Sequence, residues 1–197
     1  MKFDKNKLLA PQTSISIRGL KHSEFASHET HCFQASIWLE NTRVCIAEND
    51  GRGGATDFNR TQTIKKETWS EFMPLLVREA NRIMPLLWED EEWFTPKEED
   101  PSDVMHGNSA WSSNLECVVA HLINEELGKK EMLRRMKTKL LTYDTKEKKV
   151  YARKIKLDPK QHPLRAEKVK QSISESSPNE IILNLMPEEE ALQLYLS

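Results

Sequence analysis

Three of the chain's six glycines fall within four positions, Gly51, Gly53 and Gly54. They follow a strand-like run, Ala35 to Ala47. Glycines packed this closely require a backbone that adopts positive φ or that something approaches very closely. The chain must therefore turn sharply there, and Asn49, Asp50, Gly51, Arg52, Gly53 and Gly54 form the first candidate partner-binding site. Exposed N–H groups in such a turn can cradle an anion, with Arg52 adding charge. The spacing matches neither GxxxxGK[ST] nor GxGxxG, and no helix follows directly. The plainer reading is a turn or bulge at a strand end; backbone contact with a partner is the functional one.

The pattern around this loop predicts an α+β fold. Residues 1–12 read as a polar arm. Ser14 to Arg18 alternates as a strand and ends at Gly19. Cys32 to Leu39 and Arg43 to Ala47 predict a β-hairpin turning at 40–42. Thr63 is placed to cap a helix whose stripe is Trp69, Phe72, Met73, Leu76, Ala80, Ile83 and Leu87. Pro74 and Pro85 predict that it bends or splits in two. After an acidic linker, Ser112-Ser113-Asn114 offers the cap of a helix reaching about Lys137, with a break at Gly128. Leu140–Tyr143 and Lys149–Arg153 predict a second, basic hairpin. His162 to Ser174 predicts a helix, Glu180 to Leu185 a strand, and Pro187 onward a short terminal helix. The expected organisation is an N-terminal α+β region over 1–112 and a C-terminal α+β region with a basic surface over 113–197.

The net charge of −2 gives no overall pull toward nucleic acid, but its distribution is uneven. Residues 89–103 hold eight acids, Glu89, Asp90, Glu91 and Glu92 among them, against one lysine. Residues 129–156 hold twelve Lys/Arg against three acids. The acidic run is a second candidate partner surface. Lys129, Lys130, Arg134, Arg135, Lys137, Lys139, Lys148, Lys149 and Arg153 can follow a phosphate backbone. Ordinary solvated faces, or the two segments attracting each other, explain the same pattern. The three cysteines, Cys32, Cys45 and Cys117, form no CxxC and imply no disulfide framework. With no apolar leader at the N-terminus and no stretch of eighteen apolar residues, a cytoplasmic chain without a membrane partner is expected.

Other constellations are weaker. His22, Glu24, His28, Glu29 and His31 could ligate a metal or act as acid and base. HETH is not HExxH, however, and a polar connector between strands suffices. Cys117 and His121 share a helix face but are flanked by Val118, Val119 and Leu122, which argues for a core position. No serine sits in a GxSxG elbow. No cofactor and no catalytic residue is called for.

The run Glu29-Thr30-His31-Cys32-Phe33-Gln34-Ala35, the hairpin and Asn49-Asp50-Gly51-Arg52-Gly53-Gly54 together resemble an uncharacterised family of small phage and mobile-element proteins with an ET-x-CF-x-A … NDG-x-GG pattern. The strand and proline-acid helix from Glu180 to Leu196 are similar to the ends of such proteins. Asn41-Thr42 stands where a tight Asp-Gly turn is expected, implying a looser hairpin. The resemblance implies a non-enzymatic accessory protein that binds, and inhibits, a host nucleic-acid-handling or defence complex such as a CRISPR effector. The alternatives from the residues themselves are a nucleic-acid-binding protein using the basic C-terminal part and, third, a metal-dependent enzyme built on the His22–His31 cluster.

Overall fold

The computed structural model describes residues 13–87, 110–154 and 163–197. The acidic candidates Glu89, Asp90, Glu91 and Glu92 lie outside the described residues. The chain divides into two compact units, the first ending at Ile123 and the second running from Asn124 to Ser197. The fold is α+β. Among the described residues, a four-stranded antiparallel sheet belongs to the first unit, a smaller three-stranded sheet to the second, and there are four helices.

In the first sheet β1 (Ile15–Ser23), β2 (Cys32–Leu39), β3 (Thr42–Asp50) and β4 (Asp57–Asn59) lie side by side in chain order. Strand alternation sends Ile15, Phe33, Ala35, Ile37, Cys45, Ala47 and Asn49 to one buried face. Helix α1 (Lys66–Leu87) packs against β3 and β1 and sets Met73, Leu76, Val77, Ala80, Ile83 and Met84 in the same core. Leu115, Val118, Val119, Leu122 and Ile123 of α2 (Ala110–Met136) are buried in this unit.

Two irregularities shape the sheet. Trp38 lies opposite Arg43 while Ile37 lies opposite Cys45, so Val44 is an extra residue on β3. This bulge turns Val44 and Cys45 both inward, and both are fully buried. On β1 the register shifts between Arg18 and Lys21, where Gly19 takes φ +65°. The glycine therefore does not end the strand; it lets β1 continue to Ser23.

Several local expectations are corrected. The β2–β3 turn is tight: Leu39 pairs with Thr42 across Glu40 and Asn41, and Glu40 itself adopts φ +53°. Thr63 does not cap α1. Its hydroxyl meets that of Thr61 at 2.8 Å, and the first helical bond runs from Trp69 N–H to the Lys65 carbonyl. Helix α1 runs uninterrupted past Pro74, which is exposed together with Ser70, so the carbonyl that loses its partner can face water. Helix α2 begins before Ser112 and passes through Gly128. A Cβ at Gly128 would stand 2.5 Å from Leu196 Cδ2, so this glycine serves a close approach rather than a break.

In the second unit β5 (Leu140–Asp144) lies between β6 (Lys149–Arg153) and β7 (Glu180–Ile182), antiparallel to both. Leu141 and Tyr143 pack with Met132, Leu183, and Ala191 and Leu192 of α4 (Glu188–Leu196). Leu140 and Ile182 pack with Ala166 and Ile173 of α3 (Pro163–Ser176). The strand expected over 180–185 stops at Ile182 and continues as the 3-10 turn Leu183–Leu185. There Asn184 accepts the Leu141 N–H at 2.7 Å and donates to the Lys139 carbonyl at 3.1 Å, holding the start of β5.

Candidate functional site

The glycine loop is one half of a double loop. The other half is the β1–β2 connection, a 3-10 turn over Glu24–Ala26 followed by Ser27 to His31. The two are locked by backbone. The Gly51 carbonyl accepts the N–H groups of His28, Glu29 and Thr30 at 2.9, 3.0 and 3.4 Å. Successive N–H groups of this kind form a nest that elsewhere holds an anion; here the chain's own carbonyl fills it. Gly51 has φ +83°, and a Cβ on it would lie 2.3 Å from the Ala26 carbonyl oxygen. Gly53 also has φ +83°, with the Glu29 carboxylate where its Cβ would be.

Asn49 is the hub. Its Oδ1 accepts the Thr30 hydroxyl at 2.7 Å and the Gly51 N–H at 2.8 Å, and its Nδ2 donates to the Gly54 carbonyl at 2.9 Å. Arg52 N–H donates to Asp50 Oδ1 at 3.1 Å, and Gly53 N–H to Thr30 Oγ1 at 3.3 Å. The N–H groups of Gly51, Arg52 and Gly53 are thus all committed internally, which removes the phosphate-cradle reading of the loop. Thr56 N–H donates to Glu116 Oε1 at 2.6 Å, tying the loop's exit to α2. Ser27 secures the other half: its hydroxyl donates to the Ser23 carbonyl at 2.7 Å and accepts Cys32 N–H at 2.8 Å. What this scaffold presents outward is Glu24, Phe25, His28, Glu29, Asp50, Arg52, Gly53 and Gly54, all exposed. Phe25 is 94% exposed.

The basic stripe is largely answered within its own unit. Lys129 pairs with Glu188 at 2.5 Å, Lys130 with Glu126 at 3.2 Å, and Arg134 with Glu131 at 2.7 Å. Arg153 reaches Glu180 at 2.5 Å. Arg135 donates to the Tyr195 hydroxyl at 3.0 Å and lies over its ring. Glu188 holds the Lys129 ammonium above its ordinary pKa, and Arg134 holds Glu131 below its own. Lys137, Lys139, Lys148 and Lys149 are left without an ion pair among the described residues. Lys137 and Lys139 follow α2, while Lys148 and Lys149 sit at the far end of the β5–β6 hairpin.

The histidine cluster comes together only in part. The His22 and His31 rings meet edge to face at 5.2 Å, and His22 Nε2 lies 3.3 Å from Ser27 Oγ. Among the described residues no three His, Cys, Asp or Glu converge in a way that could hold a metal ion. Cys117 is half-buried and His121 buried, as a core position demands. Burial, then Glu116, pushes the Cys117 thiol up, opposite to the direction a nucleophile needs. Burial pushes Cys45 up to about 12. No helix among the described residues is long and apolar enough to cross a membrane.

No protein-family model, curated protein or solved structure matches the chain. The residues that sequence reasoning passed over are Phe25, Ser27, Thr30 and Glu116. Thr30 lay inside the resemblance pattern, but its contact with Asn49 spans nineteen positions, and no local periodicity encodes that. Phe25 interrupts a polar connector, which was the one available signal.

Proposed function

We propose that the chain is a non-enzymatic interaction protein whose docking point is the double loop of 24–31 and 49–54. The observation that carries this reading is Phe25, left 94% exposed on a turn whose backbone is fixed on both sides. Burying a phenylalanine side chain is worth about 1.5–3 kcal/mol, a gain that a partner closing over Phe25 would realise. A preset loop also spends little ordering entropy on binding. In the setting that the resemblance implies, a phage or mobile-element accessory protein, the partner is a host nucleic-acid-handling or defence complex, for example a CRISPR effector, and binding inhibits it.

The second reading, nucleic-acid binding by the basic C-terminal part, keeps the support of Lys137, Lys139, Lys148 and Lys149. The ion pairs on Lys129, Lys130, Arg134 and Arg153 weaken it, since a phosphate would have to displace a neighbour already in place.

Affinity capture from host lysate with tagged wild type and Phe25→Ala, each with and without nuclease, separates the two. A stoichiometric protein retained by wild type after nuclease and lost with Phe25→Ala is the expected result. Capture that Phe25→Ala leaves unchanged removes the double loop as the docking point. Recovery of nucleic acid alone, lost in high salt, moves the assignment to the basic part.

A further inference from the structure

The outer face of the first sheet has two unlike ends. Toward the glycine loop its polar groups satisfy one another: Lys21 donates to Gln34 Oε1 at 3.2 Å, and Gln34 donates to Glu48 Oε1 at 2.5 Å. Toward the β2–β3 turn they do not. Trp38 and Arg43 are direct cross-strand partners on this face. Trp38 Nε1 and Arg43 Nε are both shut off from solvent and have no acceptor among the described residues. The Arg18 guanidinium stacks 4.1 Å from the centre of the Trp38 ring. Arg18 and Arg43 form no ion pair among the described residues; each makes one long 3.4 Å hydrogen bond, to the Glu40 carbonyl and the Thr63 hydroxyl.

We infer that Trp38, Arg18 and Arg43 form a binding site for a phosphate group, on the opposite side of the sheet from its core. Guanidinium and indole N–H groups only donate, so the missing partner is an acceptor, and two uncompensated cations make it an anion. An N–H closed off from water without an acceptor is destabilising, so the anion also relieves a defect of the free protein. Two guanidinium groups and an indole N–H supply several donors at one place, and a phosphate, with more acceptor oxygens than a carboxylate, can take more of them. Arg18 is exposed and held only by its stacking and one long bond, so it can swing from the ring to the ligand. Trp38 is half-buried beneath the Arg18 guanidinium, so the swing would bare its ring to a base carried by the phosphate. A nucleic-acid backbone and a free phosphorylated small molecule share this chemistry.

The test is calorimetric titration of the full chain with inorganic phosphate and, separately, with a short oligodeoxythymidylate. Binding of at least one probe is expected. Arg18→Gln with Arg43→Gln should weaken it roughly tenfold or more, as loss of charge-assisted bonds does. Trp38→Phe, which keeps a ring but removes the N–H, should weaken it severalfold, and Phe25→Ala should leave it unchanged. Circular dichroism confirms the fold of each variant; if the double variant does not fold, Arg18→Gln alone and Trp38→Phe carry the test. Tight oligonucleotide binding that phosphate competes away identifies a nucleic acid. Phosphate binding without oligonucleotide binding identifies a small molecule. Failure of both probes to bind, or binding indifferent to the Arg18, Arg43 and Trp38 changes, overturns the assignment.

Discussion

The double loop and the basic stripe of α2 attract attention for opposite reasons, and the structure treats them oppositely. The loop looks like a source of free N–H groups, yet it consumes them in a closed network around Asn49 and offers the outside an apolar ring. The stripe looks like a free positive field, yet Glu126, Glu131 and Glu188 answer much of it within its own unit. The first network is partly buried and joins side chains to backbone; the second is exposed and joins side chains to one another. Polar groups removed from water must be satisfied or the fold suffers, whereas exposed ion pairs contribute little. A motif's composition therefore overstates what is available at its surface, and burial decides how much each contact matters.

The largest expected effects lie in the double loop. Asn49→Ala leaves the Gly51 N–H and the Thr30 hydroxyl without their acceptor and the Gly54 carbonyl without its donor. It should destabilise the chain by about 3 kcal/mol in urea denaturation. Gly51→Ala should do at least as much, because its Cβ would meet the Ala26 carbonyl, which is backbone and cannot step aside. A cost below about 1 kcal/mol for both would mean that the loops are not locked, and would break the comparison.

Glu79 sharpens it. Its carboxylate receives Arg82 through two donors and the Ser14 N–H at 2.9 Å, fixing the start of β1 to α1. Arg82, with Ser14 adding, lowers its pKa to about 2 against the opposing pull of burial. A depressed carboxylate stabilises the folded state fully above about pH 4.5, and the contribution is lost as the pH falls through about 2. Glu79→Gln should cost about 2 kcal/mol at pH 7, after discounting the pKa shift for solvent screening. The difference from wild type should shrink steadily between pH 4.5 and 2 in denaturation curves taken across that window. A difference independent of pH would assign the role to shape instead of charge.

These particulars show what was legible in the sequence. The β2–β3 hairpin, the apolar stripe of α2 and the proline-acid start of α4 follow from short-range patterns of hydrophobicity and of proline and acids at a helix start, and all three are present. The three-residue strand β4 carries too little pattern to be seen; its pairing with β3 is decided by tertiary position. Continuation of β1 through Gly19 was hidden because glycine usually ends a strand, and a bulge accommodates it here. Of the bend or split that Pro74 predicted, the split does not occur, because the helix face there is exposed. The interlock of Thr30 with Asn49, and the meeting of Trp38 with Arg43 beside a bulged Val44, depend on register, which a one-residue shift would have changed.

The smallest effect belongs to the stripe, and it tests the other side of the comparison. Lys129 and Glu188 are joined at 2.5 Å, but their side chains are 42% and 47% exposed. Water screens such a pair, and holding two long side chains in one arrangement costs entropy that offsets most of the attraction. Lys129→Ala should therefore change stability by no more than about 0.5 kcal/mol, and by nothing measurable in molar salt. The raised pKa of Lys129 works in the same direction: the contribution is complete below the ordinary lysine value and lost only at higher pH, so neutral solution sees all of it. A loss comparable to that of Asn49→Ala, or one that persisted in high salt, would show that the stripe is structural in its own right. Lys129 could then be recruited by a phosphate backbone only at the expense of the fold, and the nucleic-acid reading would rest on Lys137, Lys139, Lys148 and Lys149 alone.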